Sequence, residues 1–105
     1  MELEHDRLAT TAVTRFELLV GARSDAQRAS VLAPVEGVAT LLPNAASADQ
    51  AAAVRRRLDG EGVAIGMADA LIAGITLQRR GILLTRNRRH FERVPGLALA
   101  TLEDS

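Results

Sequence analysis

The sequence predicts an α/β fold in which helices flank a mostly parallel β-sheet, and two features indicate it. Residues 82–85, "ILLT", are continuously apolar, as expected of a strand that is covered on both faces of a parallel sheet. Strand-like segments also alternate with helical ones along the chain, which favours parallel βαβ connections. With 105 residues, of which 48% are hydrophobic, the chain is predicted to form a single domain over residues 1–105.

The N-terminal part is predicted to begin with a strand that leads straight into a long helix. Residues 8–13, "LATTAV", form the strand, and residues 14–33 form the helix. Thr14 and Glu17 fit a capping box, in which the threonine accepts a hydrogen bond from a backbone N–H and the glutamate reaches back. This pairing gives Glu17 a purely structural interpretation.

The rest of the chain continues the alternation. Residues 38–42, "VATLL", are a second predicted strand. Ser47 then opens a helix that ends near Leu58, with Gln50 in the capping position. The remaining predicted elements are a helix over about residues 67–80, the strand 82–85, a short helical piece and a last strand over residues 97–102.

The composition excludes several kinds of site. The chain has no cysteine, so a metal would need oxygen or imidazole ligands, which favours Mg²⁺ or Mn²⁺ over zinc. The only histidines, His5 and His90, are too few for a zinc site. No uncharged run approaches the roughly 18 apolar residues that a membrane span needs, and the acidic N-terminus does not resemble a signal peptide. We therefore expect a cytoplasmic protein with no membrane segment.

The net charge of zero conceals an uneven distribution of arginine. All 13 basic residues are arginines, and six of them lie between Arg79 and Arg93, where only Glu92 opposes them. The planar guanidinium group suits phosphate, so this cluster is a candidate contact for nucleic acid. A solvated protein surface is the alternative interpretation.

Three polar residues are predicted to meet where parallel strands end, which is where such folds bind ligands. They are Glu17, Asp69 and Asn87. Each has a structural alternative: a capping box for Glu17, the first turn of a helix for Asp69 and a turn for Asn87. Asp69 nevertheless shares its helix face with Ile72 and Ala73, which should point inward. Two carboxylates brought together there would repel each other, and a divalent cation would turn that repulsion into coordination.

Three fragments occur in order over residues 8–102: "TAVTRFELLVGA", "IGMADALIAG" and "GILLTRNRRHFERVPGLAL". In this order and spacing they resemble the PIN-domain ribonucleases, in particular the VapC toxins of bacterial toxin–antitoxin pairs. The resemblance implies a PIN-like α/β/α sandwich whose acidic cluster binds Mg²⁺ or Mn²⁺ and cuts RNA. It also implies a homodimer and a VapB-like antitoxin as protein partner.

The resemblance assigns roles to individual residues. Glu17 and Asp69 match the family's metal-binding acids, and Asn87 matches a position that is aspartate or asparagine in the family. Thr85 is placed to orient a water or a phosphate. His90 matches a variable position, for which packing, RNA contact and no role all remain open. The arginines that follow the "ILLT" strand would form the RNA track: Arg86, Arg88, Arg89 and Arg93.

The chain departs from the family pattern at its N-terminus. Family members begin with a strand that ends in an aspartate, and neither that strand nor its aspartate is present here. Three interpretations stay open: a record that starts too late, a decayed gene, or a fragment that survives by pairing through its exposed sheet edges. We favour the first, and we expect that these 105 residues alone are not a competent nuclease.

Two functional alternatives follow. The first is a catalytically inactive PIN module that still binds an antitoxin or another protein. The second, a response-regulator-like domain, is disfavoured because such receivers need a lysine late in the chain, and this sequence has none.

Overall fold

The structure is a computed structural model that describes residues 7–101. His5 and Leu102, the last residue of the predicted final strand, lie outside the described residues. The strands are β1, Leu8–Thr11; β2, Ala39–Leu41; β3, Ile82–Thr85; and β4, Ala98–Thr101. The helices are α1, Ala12–Val20; α2, Asp25–Leu32; α3, Ala45–Gly60; α4, Met67–Arg79; and α5, Arg88–Phe91, with a 3₁₀ turn at Ala33–Val35.

The four described strands form one sheet in the order β2-β1-β3-β4, and every pairing is parallel. Ala9 of the central strand β1 pairs with Ala39 on one side and with Leu83 on the other. Thr85 at the end of β3 pairs with Thr101 at the end of β4. The predicted α/β fold with a mostly parallel sheet is thus confirmed, and the carboxyl ends of the strands share one edge.

The predicted long helix over residues 14–33 is wrong, because the structure divides it into α1 and α2. α1 ends at Val20, and the N–H of its C-cap residue Gly21 donates to the carbonyl oxygen of Leu19. Ser24 then caps the start of α2, where its hydroxyl accepts from the backbone N–H of Gln27 at 3.1 Å. Glycine followed by a serine cap is a stop-and-start signal that the apolar spacing had obscured.

The first strand also ends earlier than predicted, at Thr11, and the predicted capping box is wrong. Thr11 is the N-cap of α1, and its hydroxyl accepts from the backbone N–H of Thr14 at 3.1 Å. The actual cap therefore lies three residues before the predicted cap Thr14, α1 begins at Ala12, and Glu17 lies in the interior of α1. The structural explanation for Glu17 is removed.

The start of α3 differs from the prediction as well. Asn44, not Ser47, is its N-cap, and the two residues form a reciprocal capping box in which each side chain accepts from the other's backbone N–H. Gln50 takes no part in this cap. Helices commonly gain about 1 kcal/mol from such a cap, which fixes their first residue more firmly than apolar spacing does.

α3 and α4 pack closely against each other because Gly74 of α4 has no side chain. A Cβ atom built on Gly74 would lie 2.6 Å from the backbone nitrogen of Ala51 in α3. The core of the protein is mainly aliphatic and contains Val54, Leu58, Ile65, Ala70, Ile72, Ala73, Leu83, Phe91 and Val94. The packed helix pair therefore fixes the position of α4 over the sheet.

Within residues 7–101, no helix is long and apolar enough to cross a membrane.

Candidate functional site

A cleft with a volume of about 440 Å³ lies beside the carboxyl ends of β1 and β3. Its lining includes Glu17 of α1, Asp69 of α4, and Asn87 after β3. Thr85 and Arg86 also line it. The structure thus brings together on one cleft the three residues that the sequence singled out for chemistry, from helices and a loop far apart in the chain.

Asp69 is held by the N-terminus of α4. It is the third residue of that helix, and its side chain is 25% exposed. The N-cap residue Gly66 provides no side-chain hydrogen bond to the first turn. A carboxylate is favoured at this position by about 0.3–1 kcal/mol, because unpaired N–H groups and the helix dipole face it. The neighbouring Ala70 and Ile72 are buried, so packing fixes the helix on which the carboxylate stands.

Glu17 lines the same cleft from a different helix. It lies on α1 and is exposed. Within residues 7–101 its carboxylate accepts no hydrogen bond and joins no ion pair, in contrast to Glu61, which pairs with Arg57. A carboxylate without a protein partner at the rim of a cleft is suited to binding a cation or a polar ligand.

Asn87 is positioned by a turn that Thr85 closes. The Thr85 hydroxyl accepts a hydrogen bond from the backbone N–H of Asn87 at 2.9 Å, and Thr85 is almost fully buried. Asn87 is also the N-cap residue of α5, but its side chain makes no capping hydrogen bond. The amide group of Asn87 is therefore available to the cleft, and Thr85 shapes the loop that presents it.

His90 makes a contact that the sequence interpretation left open. Its Nδ1 lies 3.1 Å from Oδ2 of Asp69, and its side chain is 55% exposed. The two residues are far apart in the chain, so the contact arises only when α5 docks beside the start of α4. One signal was available: His90 follows Asn87 by one turn of a helical piece that starts where β3 ends, at the same sheet edge as Asp69.

The arginines after β3 point to different places. Arg86 lines the cleft with Glu17 and Asp69. The guanidinium of Arg88 is directed to β4, where Nη1 donates to Oγ1 of Thr101 at 3.5 Å. Arg88 does not line the cleft. Arg89 and Arg93 line a second cleft on the other side of Asp69.

The side chains on the first cleft suit a magnesium ion only in part. Mg²⁺ is commonly held by one or two carboxylates while it keeps several waters and binds substrate phosphates. Glu17, Asp69 and the Asn87 amide on one cleft fit that pattern. Among residues 7–101, however, no group of three or more acidic, histidine or cysteine side chains could hold a metal ion.

Comparison with known proteins gives consistent matches over most of the chain. The family model described as PIN domain matches residues 1–97. The tRNA(fMet)-specific endonuclease VapC of Shigella flexneri is 33% identical over 99 residues, which are 90% of this chain and 75% of that protein.

Solved structures match the fold as well. The DNA-bound VapBC structure from Salmonella typhimurium superposes with a TM-score of 0.71 at 30% identity, covering 95% of this chain and 79% of that chain. The VapBC-1 structure from nontypeable Haemophilus influenzae superposes with a TM-score of 0.73 at 26% identity, covering 90% of this chain and 74% of that chain.

Proposed function

Because the chain belongs to the PIN-domain family, as its motifs predicted, we propose that it is a VapC-like, Mg²⁺-dependent endoribonuclease of a toxin–antitoxin pair. The observation that supports this most directly is the shared cleft of Glu17, Asp69 and Asn87 at the carboxyl edge of the parallel sheet. The substrate would be RNA, because the VapC relative from Shigella flexneri is named for cutting a tRNA.

In this proposal Glu17 and Asp69 are the metal ligands, and Mn²⁺ could replace Mg²⁺. When bound, the ion would lower the pKa of a coordinated water and offset negative charge that develops on the phosphoryl oxygens. The chain's own contribution is to hold two carboxylates on one cleft. Within residues 7–101, neither acid caps a helix through its side chain or pairs with an arginine, so both remain available for the ion.

The surrounding residues position the substrate and the carboxylates. Asn87 presents its amide to the cleft as a neutral hydrogen-bonding group. Arg86 lines the same cleft and contributes positive charge for an RNA phosphate. His90 places Nδ1 3.1 Å from Oδ2 of Asp69, where the imidazole can orient the carboxylate. Arg88, whose guanidinium contacts Thr101, stays a predicted RNA contact outside the cleft.

The direct test is cleavage of RNA, including tRNA(fMet), by wild-type protein and by Asp69→Asn, each with any strand that the gene encodes upstream, in the presence and absence of Mg²⁺. Asp69→Asn removes a charged ligand and keeps the side-chain size, so cleavage is expected to fall to background. Asp59→Asn is the matched control, because Asp59 is an exposed acid near the end of α3 that lines neither cleft. Undiminished Mg²⁺-dependent cleavage by Asp69→Asn would contradict the proposed site.

A second candidate function, an antitoxin-binding module without catalysis, is favoured by the outer face of α1. Phe16 and Val20 lie one turn apart on this helix and are 67% and 72% exposed, on either side of Glu17 in sequence. Large exposed apolar side chains of this kind commonly mark protein contacts. The VapBC complexes to which the fold is similar support a VapB-like antitoxin as the partner.

The two candidates are separated by measuring binding and cleavage on the same protein. Capture of a VapB-like antitoxin together with RNA cleavage supports the toxin, and capture without cleavage supports the inactive module. A homodimer is part of the first proposal, and light scattering on the purified chain measures it.

A further inference from the structure

A second cleft of about 280 Å³ adjoins the proposed metal site and is lined by residues of opposite charge. Asp69 lines both clefts, so it stands on the boundary between them. His90, which contacts the Asp69 carboxylate, lines only the second cleft, together with Arg89 and Arg93. The lining also includes the apolar residues Leu58, Val63 and Ile65.

The guanidinium groups of Arg89 and Arg93 make no hydrogen bond or ion pair within residues 7–101. The neighbouring Arg88 instead contacts Thr101, and Arg57 pairs with Glu61. Arg89 lies in α5 and Arg93 in the turn that follows it, and both line this cleft.

Two guanidinium groups in one cleft are well suited to a single phosphate group. Each guanidinium is a planar fork of donors that matches phosphate oxygens and cannot be neutralised by loss of a proton near neutral pH. The apolar side chains of the lining offer no competing acceptors. Repulsion from the Asp69 carboxylate would keep an unpaired phosphate on the arginine side of the cleft.

We propose that this second cleft is a phosphate subsite, in which Arg89 and Arg93 bind the RNA phosphate next to the one that is cut at Asp69. This inference rests on the proposed ribonuclease function, since RNA is what places phosphates in both clefts. The RNA strand then crosses from the first cleft to the second over the Asp69–His90 contact. Arg93, which the sequence interpretation placed only in a general RNA track, acquires a defined position.

The first test is binding without cleavage. A fluorescently labelled single-stranded RNA is titrated with the full chain in EDTA, and anisotropy gives the Kd. Arg89→Ala combined with Arg93→Ala is expected to weaken binding about tenfold, because charge-assisted contacts to one phosphate are lost. The slope of log K against log salt is expected to become shallower by about 0.7, the value for one phosphate contact on a single strand.

Arg55→Ala combined with Arg56→Ala is the matched control, because it also removes two positive charges, from exposed residues of α3 that line neither cleft. It is expected to change the Kd less than twofold. Circular dichroism confirms that each variant is folded, and all four arginines are exposed, so their removal should not disturb the core. Equal losses for the two double variants, or no loss for the Arg89 and Arg93 variant, would overturn the subsite.

A second test locates the phosphate. Single neutral methylphosphonate linkages are placed in turn along the same RNA. Neutralising the linkage that occupies the second cleft should weaken binding to wild-type protein and should have no further effect on the Arg89 and Arg93 variant. If the effects of linkage and variant simply add at every position, the proposal is wrong.

The readouts separate this inference from the proposed function. Binding in EDTA does not require catalysis, so loss of cleavage in Asp69→Asn with unchanged arginine effects supports both proposals. If wild-type protein shows the arginine effects but cuts no RNA, the subsite stands and the nuclease assignment fails. If wild-type protein does not bind RNA, the subsite is overturned directly.

Discussion

Asp69 and Glu17 face the same cleft, but the helices that carry them are held in different ways. Six residues of α4, including Ile72 and Ala73, are buried, and Gly74 brings the helix into contact with α3. In α1, all of which is described, no residue is buried, and Phe16 and Val20 point into solvent.

The difference indicates that the two carboxylates of the proposed site have unequal support. The Asp69 side is part of the core, so its geometry is set by folding. The Glu17 side depends on the cap at Thr11 and on half-buried contacts, and a covering partner would bury more of it. Substitutions on the two sides should therefore differ in their effect on stability.

The largest contrast is expected between the only two aromatic residues. Phe91 is 4% exposed and belongs to the core, whereas Phe16 is 67% exposed. Phe91→Ala should lower the free energy of unfolding by about 3–5 kcal/mol, because it leaves a cavity. Phe16→Ala should change it by less than about 0.5 kcal/mol. Urea unfolding of both variants measures the difference. If Phe16→Ala instead lowers the free energy of unfolding by about 2 kcal/mol or more, α1 is covered in solution.

The next contrast concerns two glycines of the packed helix pair. A Cβ at Gly74 would overlap the backbone of Ala51, so Gly74→Ala should destabilise the protein by about 1–3 kcal/mol. Gly60, at the end of α3, has no atom within 4 Å of an added Cβ, so Gly60→Ala should be neutral or stabilise by up to about 1 kcal/mol. Thermal unfolding measures both. Equal midpoints would mean that the helices can separate without cost.

The sequence predicted the elements whose signals are local. The strand Ile82–Thr85 was predicted with its exact bounds, since its apolar run is uninterrupted, and α4 was predicted to within one residue of its end. The break at Gly21 was missed because the apolar spacing continues through it. The cap at Asn44 was missed because Ser47, its partner in the capping box, carried the more familiar signal.

The site was predicted in part for a similar reason. Glu17, Asp69 and Asn87 follow or face strand ends, and the rule that such ends share an edge was enough to group them. The Asp69–His90 contact and the second cleft depend on how α5 docks against α4. Docking angles are determined by side-chain packing across the core, which no local pattern encodes.

His90 offers a way to test whether the Asp69 carboxylate is oriented by its contact with His90 as well as by the packing of α4. His90→Leu removes the imidazole nitrogen that lies 3.1 Å from Oδ2 of Asp69, and cleavage is expected to fall about 10–100-fold, as for other groups that orient a ligand. His90→Asn retains an N–H close to the position of Nδ1 and should recover part of the loss, mainly in kcat. Unfolding curves should not change, because the side chain is 55% exposed. Equal activity in the two variants would argue against an orienting role.

The smallest expected effects come from two adjacent threonines at the base of the weakly supported side. Thr10 and Thr11 are both fully buried, but only the Thr11 hydroxyl has partners, the backbone N–H and the hydroxyl of Thr14; among residues 7–101, Oγ1 of Thr10 has none. Thr11→Val should cost about 0.5–2 kcal/mol through loss of the α1 cap, whereas Thr10→Val should be neutral or stabilising, since valine buries no unpaired hydroxyl. Urea unfolding compares the two variants of nearly equal shape. If Thr11→Val also reduces cleavage while Thr10→Val does not, the cap is what holds Glu17 at the cleft; if the two variants behave alike, α1 is held by its packing instead.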